Sequence, residues 1–224
     1  MSTFPHKKFG DMASYADAYY EKMAEAAASV NREQLQKAAD ILTGIYSKGG
    51  MLFSCGNGGS AAIANHLVCD HSKLVRTDTD LKSRIVSLSA TVEIITAIGN
   101  DISYDEVFVY QLRTLAQPGD ALVTVSSSGD SENIVRAAQW ARDNGLPVIS
   151  MTGFAGGRSA KIADVNLHVT ADNYGVIEDV HQSLMHILAQ YVRQAHMDEK
   201  LVVERKLQGR TAGQRDRWTE GPLD

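Results

Sequence analysis

Cysteine, a basic charge excess and long apolar runs are all scarce in this chain, and each shortage removes a class of function. Cys55 and Cys69 are its two cysteines; with no secretory context, reduced thiols are expected rather than a disulfide framework. The formal net charge is −5, from 22 Lys and Arg against 27 Asp and Glu. No overall positive field therefore favours nucleic acid or an anionic membrane as partner. No apolar stretch approaches the roughly 20 residues that span a bilayer. Asp11, Asp17 and Glu21 stand where a secretory leader would carry its apolar core, so a cytoplasmic protein is expected.

What is present is a repeated strand, Gly/Ser loop and helix. Met51-Leu52-Phe53 leads into Ser54-Cys55-Gly56-Asn57-Gly58-Gly59-Ser60 and then a helix-like stretch from Ala61 to Asp70. Some 70 residues on, Ala121–Val125 runs into Ser126-Ser127-Ser128-Gly129-Asp130-Ser131, with Ile134, Val135 and Ala138 following at helical spacing. Glycines bring the backbone close to a ligand, helix-start amides point outward, and hydroxyls complete an anion cradle. One such loop often joins strand to helix for geometric reasons alone. Two in a short chain point to one phosphorylated ligand held between them.

At 224 residues the chain suits one α/β domain with terminal extensions. Strands are predicted at Met51–Ser54, Ile85–Leu88, Ala121–Ser126, Val148–Thr152 and Val165–Val169, alternating with helical stretches. That alternation predicts a parallel sheet with helices on both faces and ligands at the carboxyl ends of the strands. Met12, Tyr15, Tyr19 and Met23 mark an amphipathic first helix. Asn31 with Gln34 resembles a capping box for a second, whose apolar stripe is Leu35, Ala38, Leu42 and Ile45. These two helices occupy residues 1–48 and pack on the chain's own core or on a partner subunit. The α/β domain with the two loops covers 49–195, and 196–224 holds the helix end and the tail. A last helix starts near Val176, passes Gln190 and reaches toward Glu204; from Gln208 the tail is expected to be poorly ordered.

Ionisable groups cluster on two helices. His66 and Asp70 are four apart, on one helix face. Glu178, Asp179, His181, Gln182 and His186 concentrate acid and imidazole on the last helix, with Glu178, Gln182 and His186 at successive turns. Two imidazoles and two carboxylates from two helices suit a divalent metal such as zinc, or a general acid and base working at a sugar carbonyl. The plainer readings are a surface His–Asp pair and acidic residues favoured by a helix dipole. His181 lies well around the helix from His186 and reads as structural, and Cys69 as a small buried residue.

At Ser54–Ser60, Ala97-Ile98-Gly99-Asn100-Asp101, Ser126–Ser131, Met151–Gly157 and Ile177–His181 with His186, the chain resembles the SIS (sugar isomerase) domain family, and within it the phosphoheptose isomerases. The likeness spans roughly Tyr15 to Gln194. It implies a flavodoxin-like fold, a five-stranded parallel sheet with helices on both faces plus N-terminal helices, in a homotetramer whose active sites neighbouring subunits complete. It also implies interconversion of sedoheptulose 7-phosphate and D-glycero-D-manno-heptose 7-phosphate through an enediol, with zinc at the site and no nucleotide cofactor. Asn57, Gly58, Ser60, Ser126, Ser127, Ser128 and Ser131 match phosphate and sugar contacts, Ser127 standing where Thr is usual, and Asp101 matches an acidic residue near the substrate. His186 and Asp70 match the acid/base pair; His66, Asp70, Glu178 and His186 match the metal ligands, Glu178 also facing substrate.

The chain departs from the family at the acidic end. Asp70 stands where the family has Glu, Glu178 where it has Gln, Asp179 where it has Glu, Gly175-Val176 where it has Asp-Arg, and Leu74 where it has Arg. An isomerase of a different phosphosugar and a non-catalytic SIS module are the alternative readings. Retention of ionisable Asp70 and His186 favours catalysis over the module.

Overall fold

The computed structural model describes residues 4–201. Five strands, β1 (Met51–Gly56), β2 (Arg84–Ser87), β3 (Ala121–Ser126), β4 (Val148–Thr152) and β5 (Val165–His168), form one parallel sheet in the order β2-β1-β3-β4-β5. Eight α-helices accompany them: α1 (Met12–Ser29), α2 (Arg32–Ser47), α3 (Gly59–Cys69), α4 (Val92–Asp101), α5 (Val109–Leu115), α6 (Glu132–Asp143), α7 (Ser159–Ile162) and α8 (Tyr174–His196).

Side-chain alternation along the strands creates two cores, one per sheet face. Leu52 of β1 and Val123 of β3 point to one face, where α2, α3 and α8 supply Leu42, Ile63 and Leu184. Their neighbours Phe53 and Leu122 point to the other, against Ile98, Leu112, Ile134 and Ala138 of α4, α5 and α6. All six side chains of β3 are buried, as befits the central strand of a doubly covered sheet. Asp120 is also buried because it has work there: its carboxylate accepts from the amides of Met51 (2.7 Å) and Gln117 (2.8 Å) where β1 and β3 begin.

The five predicted strands lie where expected, with ends displaced by a residue or two. Leu88 and Val169 fall just outside β2 and β5, although their amides still bond to Ser54 and Thr152 carbonyls at 2.8 Å. Asn31 caps α2 by accepting from the amides of Glu33 and Gln34, and Ala38, Leu42 and Ile45 are buried as the stripe predicted. The first helix forms as expected but leaves much of its Met and Tyr face uncovered within its own chain. Met12 is 79% exposed, Tyr19 and Met23 are only partly covered, and Ala26 is the residue that goes fully inside. α1 packs against α8, where the Tyr19 hydroxyl donates to Asp179 at 2.7 Å. α8 stops at His196, where Met197 turns extended, and a separate helical stretch begins at Glu199, so the single helix expected to run from near Val176 toward Glu204 is interrupted. Glu204 and the tail from Gln208 lie outside the described residues. No described helix is long and apolar enough to cross a membrane.

Two histidines are internal. His181 lies on the buried side of α8, as its angular distance from His186 predicted, with Nε2 3.2 Å from the Thr152 carbonyl. His71 is buried with Nδ1 2.6 Å from the Tyr46 hydroxyl, while Ser83 donates to its carbonyl. Burial lowers the pKa of each from 6.5 to about 4, because the surroundings oppose a charged ring. Between those values the unfolded chain binds protons that the folded chain refuses, so stability rises with pH in that window and falls on acidification. Urea denaturation across it is expected to show this slope, and His181→Gln to reduce it by about one proton. A variant with an unchanged slope would mean that His181 titrates normally in the fold.

Candidate active site

The site begins where β1 and β3 end side by side. Cys55 pairs with Thr124 and Gly56 with Val125, so the two Gly/Ser loops leave the sheet as neighbours. The chain then diverges. After β1 it passes through α3 on one face toward β2; after β3 it passes through α6 on the other face toward β4. This reversal of direction opens a crevice at the carboxyl ends of adjacent strands. An open cleft of about 150 Å³ lies there, lined by Asn57, Ser60, Ser126, Ser127, Ser128, Ser131, Tyr174 and Glu178.

Local conformation prepares both loops for an anion. Gly58 precedes α3 with φ +54° and ψ −123°, a backbone closed to residues with a side chain. A Cβ at Gly56 would stand 2.4 Å from the Ser60 carbonyl oxygen. The N-cap residues Gly58 and Ser131 cap neither α3 nor α6 with a side chain, and in α6 the Asn133 side chain takes the Ile134 amide, leaving the first amides of each helix for an anion. The Ser127 hydroxyl is buried without a protein partner. Asn57 is held by a reciprocal amide pair with Asn133 (2.9 and 3.0 Å), and the Tyr104 hydroxyl donates to its Oδ1 at 2.9 Å.

The second half of the site is built by α3 and α8, which pack against each other and run the same way. Glu178, Gln182 and His186 follow at one-turn intervals on one face of α8 and meet successive points along α3. The Glu178 carboxylate covers Gly59, where an added Cβ would come within 2.4 Å of Oε2. The Gln182 amide reaches His66 Nδ1 at 2.9 Å. His186 Nδ1 reaches Asp70 Oδ2 at 2.8 Å. The eight residues from Glu178 to His186 rise about 12 Å. The phosphate-type loops and Glu178 line the cleft, and the imidazoles lie beyond its lining, further along the α3–α8 seam.

Hydrogen-bond roles follow from the inventory of donors. Gln182 Nε2 carries two hydrogens and donates to His66 Nδ1 and to His186 Nε2 (3.1 Å). His186 then keeps its proton on Nδ1 and donates it to Asp70 Oδ2. His66 keeps its proton on Nε2, facing Asp70 Oδ1 at 3.5 Å. The two rings meet edge to face with centroids 4.9 Å apart. Asp70 therefore orients both imidazoles while remaining mostly buried itself. It occupies the junction where α3 gives way to a π-helical turn, Asp70–Leu74, a geometry that turns His71 into the core.

His66, Asp70 and His186 offer ligand atoms within 4.8 Å of one another. Two imidazole nitrogens and a carboxylate oxygen fit a zinc-type ion with an open fourth position. Glu178, which the resemblance grouped with these three, lies apart from them beside the first loop. Burial, then the charge of Asp179, raises its pKa. Asp179 itself points to α1 and accepts from the Tyr19 hydroxyl at 2.7 Å. Asp101 ends α4 exposed, bonded to the Asn100 amide at 2.8 Å, and does not line the cleft of its own chain. Sequence reasoning missed Gln182, Asn133 and Tyr104 as site residues. The spacing of Gln182 between Glu178 and His186 was a usable signal for the first. Nothing local marked the other two, which arrive from distant elements.

Known proteins place this architecture. The SIS domain family model matches residues 14–153. A phosphoheptose isomerase of Bordetella avium is 36% identical over 184 residues, covering 80% of this chain and 93% of the relative. The solved phosphoheptose isomerase of Neisseria gonorrhoeae superposes with a TM-score of 0.75 at 30% identity, over 82% of this chain and all of that one. That of Francisella tularensis gives 0.73 at 30% identity, over 81% and 96%. The two cores, the strand order and these matches agree: the chain belongs to the SIS, or sugar isomerase, domain family.

Proposed function

We propose that the protein is an aldose–ketose isomerase interconverting sedoheptulose 7-phosphate and D-glycero-D-manno-heptose 7-phosphate. The observation that carries this reading is the arrangement along α3 and α8: an anion cradle where they begin and an Asp–His pair about 12 Å further along α8. The loops of Asn57–Ser60 and Ser126–Ser131 take the phosphate, and Glu178 lies beside it facing the sugar. His186, oriented by Asp70, has Nε2 directed into the cleft once the Gln182 amide gives way to substrate. The proton leaving the carbon beside the carbonyl passes to Nε2. Asp70 stabilises the resulting imidazolium, the hydroxyl proton passes from the oxygen of the deprotonated carbon to the former carbonyl oxygen, and return of the proton on Nε2 to the adjacent carbon completes the exchange through an enediol. The similarity to curated phosphoheptose isomerases supports the choice of sugar.

Zinc is the proposed cofactor, held by His66, Asp70 and His186, and when bound it would polarise the sugar carbonyl. We also infer a homotetramer in which a neighbouring chain helps complete the site. Asp101 stands away from its own cleft, and α2 and α8 leave an apolar groove of Leu35, Ala39, Ile187, Leu188 and Tyr191 at the surface. Cytoplasmic residence belongs to the same proposal, supported by the free state of Cys55 and Cys69.

The purified protein is expected to convert sedoheptulose 7-phosphate in a coupled assay, and Asp70→Asn to lose about 10²–10⁴-fold in kcat. Absence of turnover with any five- to seven-carbon ketose phosphate, zinc supplied, would sink the isomerase reading. Dialysis against zinc followed by elemental analysis is expected to leave about one ion per chain, and His66→Ala with Asp70→Asn to remove it. Equal zinc retention by that double variant would place the ion elsewhere.

A further inference from the structure

The second Gly/Ser loop contains a charge that opposes its purpose. Asp130 stands between Ser128 and Ser131, both of which line the cleft, and Glu132 follows in the first turn of α6. Two carboxylates at the mouth of an anion cradle repel an incoming phosphate dianion unless they are compensated.

The compensation comes from the loop after β4, the Met151–Gly157 stretch to which the proposed mechanism gives no role. This loop packs backbone to backbone on the second Gly/Ser loop. A Cβ on Gly129 would lie 2.0 Å from the Gly156 carbonyl oxygen, and one on Gly157 would lie 2.4 Å from the Gly129 carbonyl carbon. The Gly153 amide donates to the Ser127 carbonyl at 2.8 Å, and the Ser159 amide to the Gly129 carbonyl at 2.9 Å. Arg158 completes the contact. Its Nε donates to Asp130 Oδ1 (2.5 Å), Nη2 to the Asp130 carbonyl (2.9 Å) and Nη1 to Glu132 Oε2 (2.8 Å). Arg136 holds the other Glu132 oxygen at 2.8 Å, so the Glu132 charge is shared between two guanidinium groups. Arg158 is the guanidinium bonded to Asp130. Its hydrogen bond holds the Asp130 carboxyl below the usual carboxylate range.

We propose that Arg158 is a positioning residue for phosphate, setting the affinity of the second loop by cancelling the charge of Asp130 and tying down its carbonyl. Arg158 is 49% and Asp130 56% exposed, and an ion pair that open contributes little to stability. The same pair acts on a doubly charged ligand bound next to it, where one uncancelled carboxylate is costly. The inference rests on the phosphate-binding reading of the loop, and its test does not require turnover.

Isothermal titration of the full-length protein with inorganic phosphate measures the affinity directly. Arg158→Ala is expected to weaken it roughly tenfold at low ionic strength, and less as salt is added. Asp130→Asn alone is expected to bind as tightly as wild type or tighter. The double variant Arg158→Ala/Asp130→Asn is expected to recover most of the loss, which a merely structural arginine would not allow. In turnover, Arg158→Ala is expected to raise KM with little change in kcat. Unchanged phosphate affinity in Arg158→Ala, or a double variant as weak as the single, overturns the proposal. Wild-type protein that binds no phosphate overturns the loop reading and this inference together. Phosphate binding that follows the expected series without any isomerase turnover upholds the role of Arg158 and removes only the assigned reaction.

Discussion

The parallel pairing of β1 with β3 is the constraint on which the rest of the molecule depends. It brings two loops that are some 70 residues apart in sequence to adjacent strand ends. Because the chain leaves these strands toward opposite sheet faces, the loops separate and leave a crevice between two uncapped helix starts. Backbone amides, which every residue but proline supplies, then provide much of the anion cradle. The buried, largely aliphatic strands that hold this register have no other evident task.

A second consequence is the course of α3. Since α3 begins at the first loop, its own rise carries it from the anion cradle at Ser60 to the imidazole end at His66 and Asp70. α8 runs alongside in the same direction, and its one-turn repeat of Glu178, Gln182 and His186 falls in step. Two helices of equal pitch set side by side convert a spacing in sequence into an elongated site. The departures at Asp70 and Glu178 lie on these helices at different heights, and they have different effects. Asp70 bonds His186 and faces His66 at 3.5 Å from the start of a π-helical turn. Glu178 adds a carboxylate near the first loop, away from those imidazoles.

Much of the fold was legible in the residues. The five β-rich segments and the stripe of α2 announce a doubly wound sheet, because burial on two faces demands nearly continuous apolar strands and burial on one face demands a helical stripe. The Met and Tyr pattern of α1 was legible as a helix, and within the chain it is only partly covered, with Tyr19 meeting α8. The site was legible in part. Motif glycines and serines cluster in sequence because one loop must supply several contacts to one phosphate. Asn133, Tyr104 and Arg158 carry no such local mark, since each meets its partner only across elements that the sheet order brings together.

The sequence by itself determined the class of fold, the two anion loops and the residue types available for proton transfer and metal binding. Those properties follow from short-range physics: backbone freedom at glycine, side-chain alternation along strands and the helical repeat. Only the tertiary structure decided which ionisable groups share a site. It joined His66, Asp70 and His186 through Gln182, set Glu178 apart from them, kept His181 in the core and left Asp101 outside the cleft of its own chain. Helical spacing tells which residues share a face, but the height at which one helix packs on another tells which of them meet.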